Sequence, residues 1–168
     1  MTVTAVRKDP QRLTLTVEAE FDASVERIWQ LWADPRKLER WWGPPTYPAT
    51  VTKHDLAPGS RVEYHMTGPA GDQPQGFWEI LEVEPPRRIV FRETCDNADG
   101  TPNTDLRTIR VGIEEATPGH TRMSIEIVFS SPEAMERVLA TGTAVGLSEA
   151  VGQIDAILVE ETIEGVRP

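Results

Sequence analysis

Thr121–Glu133 reads T-R-M-S-I-E-I-V-F-S-S-P-E, and the fold turns on this stretch. Met123, Ile125, Ile127 and Phe129 alternate with Ser124, Glu126 and Val128, the two-residue period of a strand with one buried face. The next residues switch period: Ser131 can cap a helix, Pro132 fits a first helical position and Glu133 suits the positive end of the helix dipole. A short amphipathic segment with Met135, Val138 and Leu139 runs into a longer one. There Leu147, Val151, Ile154 and Leu158 form a narrow stripe facing the sheet, and the helical pattern ends near Glu164-Gly165.

Upstream, the breakers Pro58-Gly59, Gly68-Pro69-Ala70-Gly71, Pro85-Pro86, Asp99-Gly100 and Pro118-Gly119 punctuate an extended pattern. They delimit predicted strands over Thr50–Asp55, Ser60–Met66, Phe77–Glu84, Arg88–Cys95 and Leu106–Glu115, followed by Thr121–Phe129. The connections are too short for crossovers, so pairing is antiparallel. A further strand, Leu13–Phe21, puts Leu13, Leu15, Val17, Ala19 and Phe21 on one parity. Asp22 or Ser24 then caps a helix carrying Val25, Ile28, Trp29, Leu31 and Trp32, and Asp34-Pro35 opens a second helix to about Trp41. The order β-α-α-β6-α predicts an α+β domain. A curved seven-stranded antiparallel sheet wraps a long C-terminal helix with a hollow between the two layers, as one domain over residues 1–168 with its core at about 13–164.

The 168 residues carry a formal net charge of −10 with pI near 4.8, which argues against nucleic acid or an anionic membrane as partner, since both demand clustered Lys and Arg. Residues 131–168 hold seven acids and two bases, read as the wet face of helices through Glu149, Asp155, Glu160, Glu161 and Glu164. No run is long enough for membrane insertion, and Arg7, Lys8 and Asp9 stand where a secretory signal needs apolar residues, so the expected location is cytoplasmic. The single cysteine, Cys95, excludes an internal disulfide and reads as a strand residue. His54, His65 and His120 lack metal-ligand spacing, so no metal is expected. No phosphate loop, nucleotide fingerprint or Ser-His-Asp set points to a cofactor or to nucleophilic catalysis.

Four of the five tryptophans, Trp29, Trp32, Trp41 and Trp42, fall within fourteen residues. Trp29 and Trp32 lie one helical turn apart and read as core; of Trp41 and Trp42, before the rigid Gly43-Pro44-Pro45, one reads as an anchor and one as the rim of a cavity mouth. Gly142, Gly146 and Gly152 each cost roughly 1 kcal/mol against Ala in a helix interior, so small residues there either bring helix and sheet together or leave volume for a ligand. Gly146, Ala150, Gln153 and Ile157 share one shoulder of the apolar stripe. Among acids, Glu126 reads as solvent-facing, whereas Glu93 shares parity with Ile89 and Phe91. His65, Tyr64 and Glu93 are the candidates for acid–base work. Arg87-Arg88 reads as a solvated hairpin turn.

Trp41–Pro45 (W-W-G-P-P), Asp55–Gly59 (D-L-A-P-G), Met66–Gly71 (M-T-G-P-A-G) and Leu81–Arg88 (L-E-V-E-P-P-R-R), in this order, resemble the START-like, or SRPBCC (Bet v 1-like helix-grip), superfamily. Within it they are similar to the C-terminal domain of the activator of the heat-shock-protein-90 ATPase. The resemblance runs from about Leu13 to Glu160. It implies a sheet gripping the C-terminal helix around an apolar cavity that takes lipids, polyketides or similar molecules. The expected lining is Trp41, Trp42, Met66, Trp78, Phe91, Met123, Gly146, Ala150, Gln153, Ile154 and Ile157. Many relatives carry Trp near Leu147, and its replacement here enlarges or reshapes that cavity. The leading expectation is binding of a small apolar molecule without catalysis. The alternative is a polyketide cyclase or aromatase-like enzyme, and the third is a co-chaperone-like module stimulating a heat-shock chaperone ATPase. A homodimer is compatible with the sequence, which does not fix a pairing surface.

Overall fold

The computed structural model describes the backbone over residues 3–95 and 107–166, and side chains within 3–94 and 107–162. The predicted Asp99-Gly100 turn, Leu106 and the side chains of Cys95 and Glu164 lie outside them. The elements are β1 (Val3–Asp9), β2 (Thr14–Phe21), α1 (Val25–Ala33), α2 (Pro35–Leu38), β3 (Ala49–His54), β4 (Arg61–Met66), β5 (Gln75–Glu84), β6 (Arg88–Cys95), β7 (Arg107–Thr117), β8 (His120–Phe129), α3 (Pro132–Ala140), α4 (Thr143–Gly152) and α5 (Ile154–Val166).

All strands pair antiparallel in one open, curved sheet of order β1-β2-β8-β7-β6-β5-β4-β3. The α+β class and the helix-grip arrangement stand, but the sheet has eight strands rather than seven. The added strand, β1, lies at an edge beside β2. It is largely exposed, including Val6, and its burial keeps no sustained two-residue period, whereas β3 at the opposite edge alternates buried Ala49 and Val51 with exposed Thr50 and Thr52. The predicted long C-terminal helix is three: α3 and α4 are separated by a turn at Thr141-Gly142, and α4 passes into α5 through Gln153. Gly142 adopts φ 82°, a left-handed conformation that costs an L-residue roughly 1–2 kcal/mol and costs glycine nothing.

Local chemistry sets the other ends. The Ser24 hydroxyl accepts from the Arg27 N–H to cap α1, Asp34 accepts from the Arg36 N–H to cap α2, and Ser131 accepts from the Ala134 N–H at 3.0 Å to cap α3. Proline occupies the first turn of α2 and of α3. The second helix ends at Leu38, earlier than the predicted Trp41. The core lies between the inner face of the sheet and the helices. Leu15, Val17, Ala19 and Phe21 of β2, Ile109, Val111 and Ile113 of β7, and Met123, Ile125, Ile127 and Phe129 of β8 are all buried, as their alternation predicts. Val151, Ile154 and Leu158 close this core from the helix side, with Leu147 half-buried above it.

Candidate functional site

The inner face of the sheet is not uniformly apolar. Antiparallel register aligns Trp78 of β5, Glu93 of β6 and Arg107 of β7 in one cross-strand row, with Tyr64 of β4 diagonal to it. Glu93 is buried. Its Oε2 accepts from the Tyr64 hydroxyl and from the Trp78 indole N–H, each at 2.9 Å, and its Oε1 lies 3.3 Å from the Arg107 Nε. A buried ion pair persists only where its carboxylate is also hydrogen-bonded, and the neighbouring strands supply two donors to Glu93. Tyr64 reaches its position because its cross-strand partner is Gly76, where a Cβ would stand 2.5 Å from the phenol ring and hydroxyl.

Above this row lies a cavity of about 250 Å³ under the α3–α4 turn. Tyr64, Met66, Glu93, Arg107 and the isoleucines 109, 125 and 127 form its sheet wall, Gly146 and Leu147 its helix wall, Thr141 and Thr143 its turn, and Trp42 with Pro44 its remaining side. The Thr141 and Thr143 hydroxyls lie 3.0 Å apart. A Cβ at Gly146 would meet no heavy atom within 4 Å, so this glycine leaves volume and does not bring helix and sheet together. Gln153 serves elsewhere. Its amide donates to the Gly43 carbonyl at 2.7 Å and to the Trp41 carbonyl at 3.3 Å, fastening the loop that carries Trp42.

The tryptophans separate by partner. Trp32 donates to the Met123 sulfur at 3.3 Å, Trp41 to the Leu31 carbonyl at 2.9 Å and Trp78 to Glu93. The buried Trp42 Nε1 has no partner among the described residues. The Trp42 ring packs edge-on to Trp78, 4.9 Å between centroids, and to Tyr64 at 6.3 Å, so it borders the Glu93 group. Trp78 stacks on Phe91 at 4.1 Å, and Trp29 and Trp32 are core.

Of the expected lining, Trp42, Met66 and Gly146 border this cavity. Trp41, Trp78, Phe91, Met123, Ala150, Ile154 and Ile157 instead pack in the core, because α4 and α5 settle onto the sheet beyond the turn and leave space only beneath it. Gln153 is half-buried beside the Trp41–Gly43 loop and outside the lining. Trp41 and Trp42 are both buried, so neither forms an exposed rim. Of the three acid–base candidates, Tyr64 and Glu93 meet, whereas His65, of opposite parity on β4, is not with them. Arg107 escaped the sequence reading although it shares the inward parity of Ile109, Val111 and Ile113. Thr141 and Thr143 carried no comparable signal.

His54 contacts the Trp32 carbonyl at 2.9 Å and His120 pairs with Asp22 at 2.6 Å; among the described residues no three His, Cys, Asp or Glu side chains could hold a metal ion. Among the described residues no helix is long and apolar enough to cross a membrane. A broader surface groove between α5 and the β7–β8 turn is walled by Glu20, Asp22, Arg122 and Asp155; the cavity under the α3–α4 turn, itself partly open to solvent, is the more apolar of the two.

Similar proteins agree with this architecture. Protein Ms6760 from Mycobacterium smegmatis is 45% identical, with 95% of this chain and 99% of that one covered at a TM-score of 0.85. A protein from Arthrobacter aurescens is 40% identical, with 95% and 93% covered at 0.89. The AHSA1 protein from Silicibacter pomeroyi shares the fold at 20% identity, with 88% and 99% covered at 0.70. No curated protein matches. The sequence profile for "Activator of Hsp90 ATPase homolog 1-like protein" matches residues 22–159, and with the helix-grip order and near-complete overlap with these structures it settles the assignment: the chain belongs to the activator of Hsp90 ATPase homolog 1-like family.

Proposed function

We propose that this chain binds one small, largely apolar molecule in the cavity under the α3–α4 turn. The observation that carries this reading is the concave, mostly apolar space itself: isoleucine and tryptophan walls, a glycine facing open volume, and a polar row centred on Glu93 at the sheet. At about 250 Å³ it lies just below the roughly 300–1,000 Å³ usual for small-molecule sites and holds the equivalent of about eight waters. That favours a one- or two-ring compound over a long-chain lipid. Calorimetric titration with naphthalene-sized compounds should give saturable one-to-one binding that Gly146→Trp abolishes while the variant remains folded by circular dichroism. Binding unchanged by Gly146→Trp would refute the reading.

A second reading, a cyclase- or aromatase-like enzyme, draws on the Tyr64–Glu93 contact, since proton transfer needs an ionisable group at the cavity wall. Two hydrogen-bond donors and the Arg107 charge already engage Glu93, which favours its service as a fixed anchor for Tyr64 and Arg107 over service as a base. The third reading, stimulation of a chaperone ATPase, rests on the family name and is tested by adding this chain to a coupled ATPase assay.

A further inference from the structure

Two walls of the cavity are carried by loops. Trp42 and Pro44 belong to the segment before β3, and Met66 is the last residue of β4, from which the β4–β5 loop departs. Tyr47 is not among the residues lining the cavity, yet it joins these two walls. Its N–H donates to the Pro44 carbonyl at 2.8 Å, closing a turn on Pro44, and its hydroxyl donates to the Asp72 carboxylate at 2.9 Å in the β4–β5 loop. That loop is itself closed by the Gly68 N–H on the Asp72 carbonyl at 2.8 Å, and the Thr67 N–H, next to Met66, donates to the Pro48 carbonyl at 3.0 Å. Two glycines make the room. A Cβ at Gly43 would run into the Tyr47 carbonyl, and one at Gly68 would stand 2.6 Å from the Tyr47 ring and run into the Asp72 carboxylate. With Gln153 holding the Trp41 and Gly43 carbonyls, the segment that carries Trp42 and Pro44 is fastened at both ends.

We infer that Tyr47 is a positioning residue for this cavity: through Asp72 it fixes the Trp42–Pro44 wall against Met66 before a ligand arrives, and so sets the ring size that the cavity admits. This rests on the ligand-binding reading above and names a residue that sets its selectivity. A hydroxyl donating to a carboxylate makes a stronger bond than one between neutral groups, and Tyr47 and Asp72 are both half-buried. A wall ordered in advance costs a ligand nothing to order, whereas a loosened one is ordered at the expense of affinity and yields to a larger molecule.

Calorimetric titration of the full chain with 2-naphthol and with the larger 1-hydroxypyrene reads both effects. Tyr47→Phe keeps the ring beside Gly68 and removes only the hydroxyl. It should weaken 2-naphthol binding about threefold to tenfold, the cost of ordering one side chain on binding, and reduce the preference for 2-naphthol over 1-hydroxypyrene. Gly68→Ala, which crowds both partners without removing either, should act in the same direction, and Asp72→Ala added to Tyr47→Phe should weaken 2-naphthol no further. Thr121→Val controls for lost stability alone: it removes the buried hydrogen bond to the Ala23 carbonyl, outside the lining, and should leave both affinities unchanged. An unchanged preference in Tyr47→Phe, or the same loss in Thr121→Val, overturns the inference and leaves the cavity reading standing. Native protein that binds neither compound, or binding that survives Gly146→Trp, refutes both.

Discussion

Replacing Glu93 by leucine tests the central structural claim, because the side chain keeps its bulk and loses every polar contact. Three groups are left behind in one step: the Tyr64 hydroxyl and the Trp78 indole N–H, each bonded to Oε2 at 2.9 Å, and the Arg107 guanidinium, 3.3 Å from Oε1. The Arg107 and Glu93 side chains are only 10% and 8% exposed, so water does not replace what is removed. Breaking a buried pair from one side costs about 3–5 kcal/mol, a range that already includes much of the loss at Tyr64 and Trp78, so these are not added to it. For a chain of this length the melting temperature should fall by roughly 6–20 °C. Urea unfolding should move its midpoint with an unchanged slope, marking lost stability and not a less compact native state. Glu93→Gln keeps an acceptor oxygen and should cost less. Adding Arg107→Met to Glu93→Leu should recover part of the loss, since the orphaned charge leaves with the arginine. A Glu93→Leu protein within about 1 kcal/mol of the native one would show that the row contributes little and would remove the physical basis for its anchoring role.

Gly146→Ala should stabilise the protein by about 1 kcal/mol in thermal melts, because a methyl there meets open space and the helix gains a better former, whereas Gly142→Ala, at φ 82°, should destabilise it by about 1–2 kcal/mol. Gly76→Ala should displace Tyr64, whose ring stands 2.5 Å from the added Cβ, costing about 1–3 kcal/mol and weakening ligand binding in titrations; unchanged stability would contradict the Tyr64 placement. The hydrogen bond from Arg7 holds the Glu18 carboxyl below its usual range, so folding favours the ionised form. That contribution is fully present above the unfolded carboxyl's range and is lost as pH falls through the folded value, so Arg7→Ala should shallow the acid limb of a stability–pH curve; an identical limb would show that β1 is not fastened this way.

The alternation of β2, β7 and β8 and the helical stripe at Leu147, Val151, Ile154 and Leu158 were legible because each element has one dry face and one wet one. β1 was not, since beyond Val3 at its start it sustains no alternation of a dry face with a wet one, whereas β3 at the other edge does. The cavity was legible in kind and misplaced in detail. Sequence marks Gly146 as unusual, but only the break at Thr141-Gly142 decides that the space lies under the turn, and that break follows from how α3 and α4 meet the sheet. Parity marked Glu93 as inward and could have marked Arg107 equally well. Their pairing depends on the β6–β7 register, which joins positions on either side of a segment whose length sets no register by itself. Gly76 is the least legible of all, because its absent side chain matters only once Tyr64 is known to lie opposite.

The C-terminal acids acquire a different meaning from their contacts. Glu161, read from the sequence as solvated, is half-buried and pairs with Arg27 at 3.3 Å and Lys37 at 2.9 Å, while Glu160 pairs with Arg40. Arg27 also donates to the Leu158 carbonyl at 3.0 Å, and Gln153 fastens the start of α5 to the Trp41–Gly43 loop. These ties run from α5 to α1, α2 and the loop after them, which carries Trp42 and Pro44 of the cavity wall. At the α3–α4 end the described contacts are short-range: the Ser131 cap, the Thr141–Thr143 hydroxyl pair and a left-handed glycine. Local opening follows the segment with the fewest long-range ties. The helix layer is therefore held most firmly along α5, and amide hydrogen exchange should find the earliest local opening at Thr141-Gly142-Thr143; protection there equal to that of α5 would contradict this ordering.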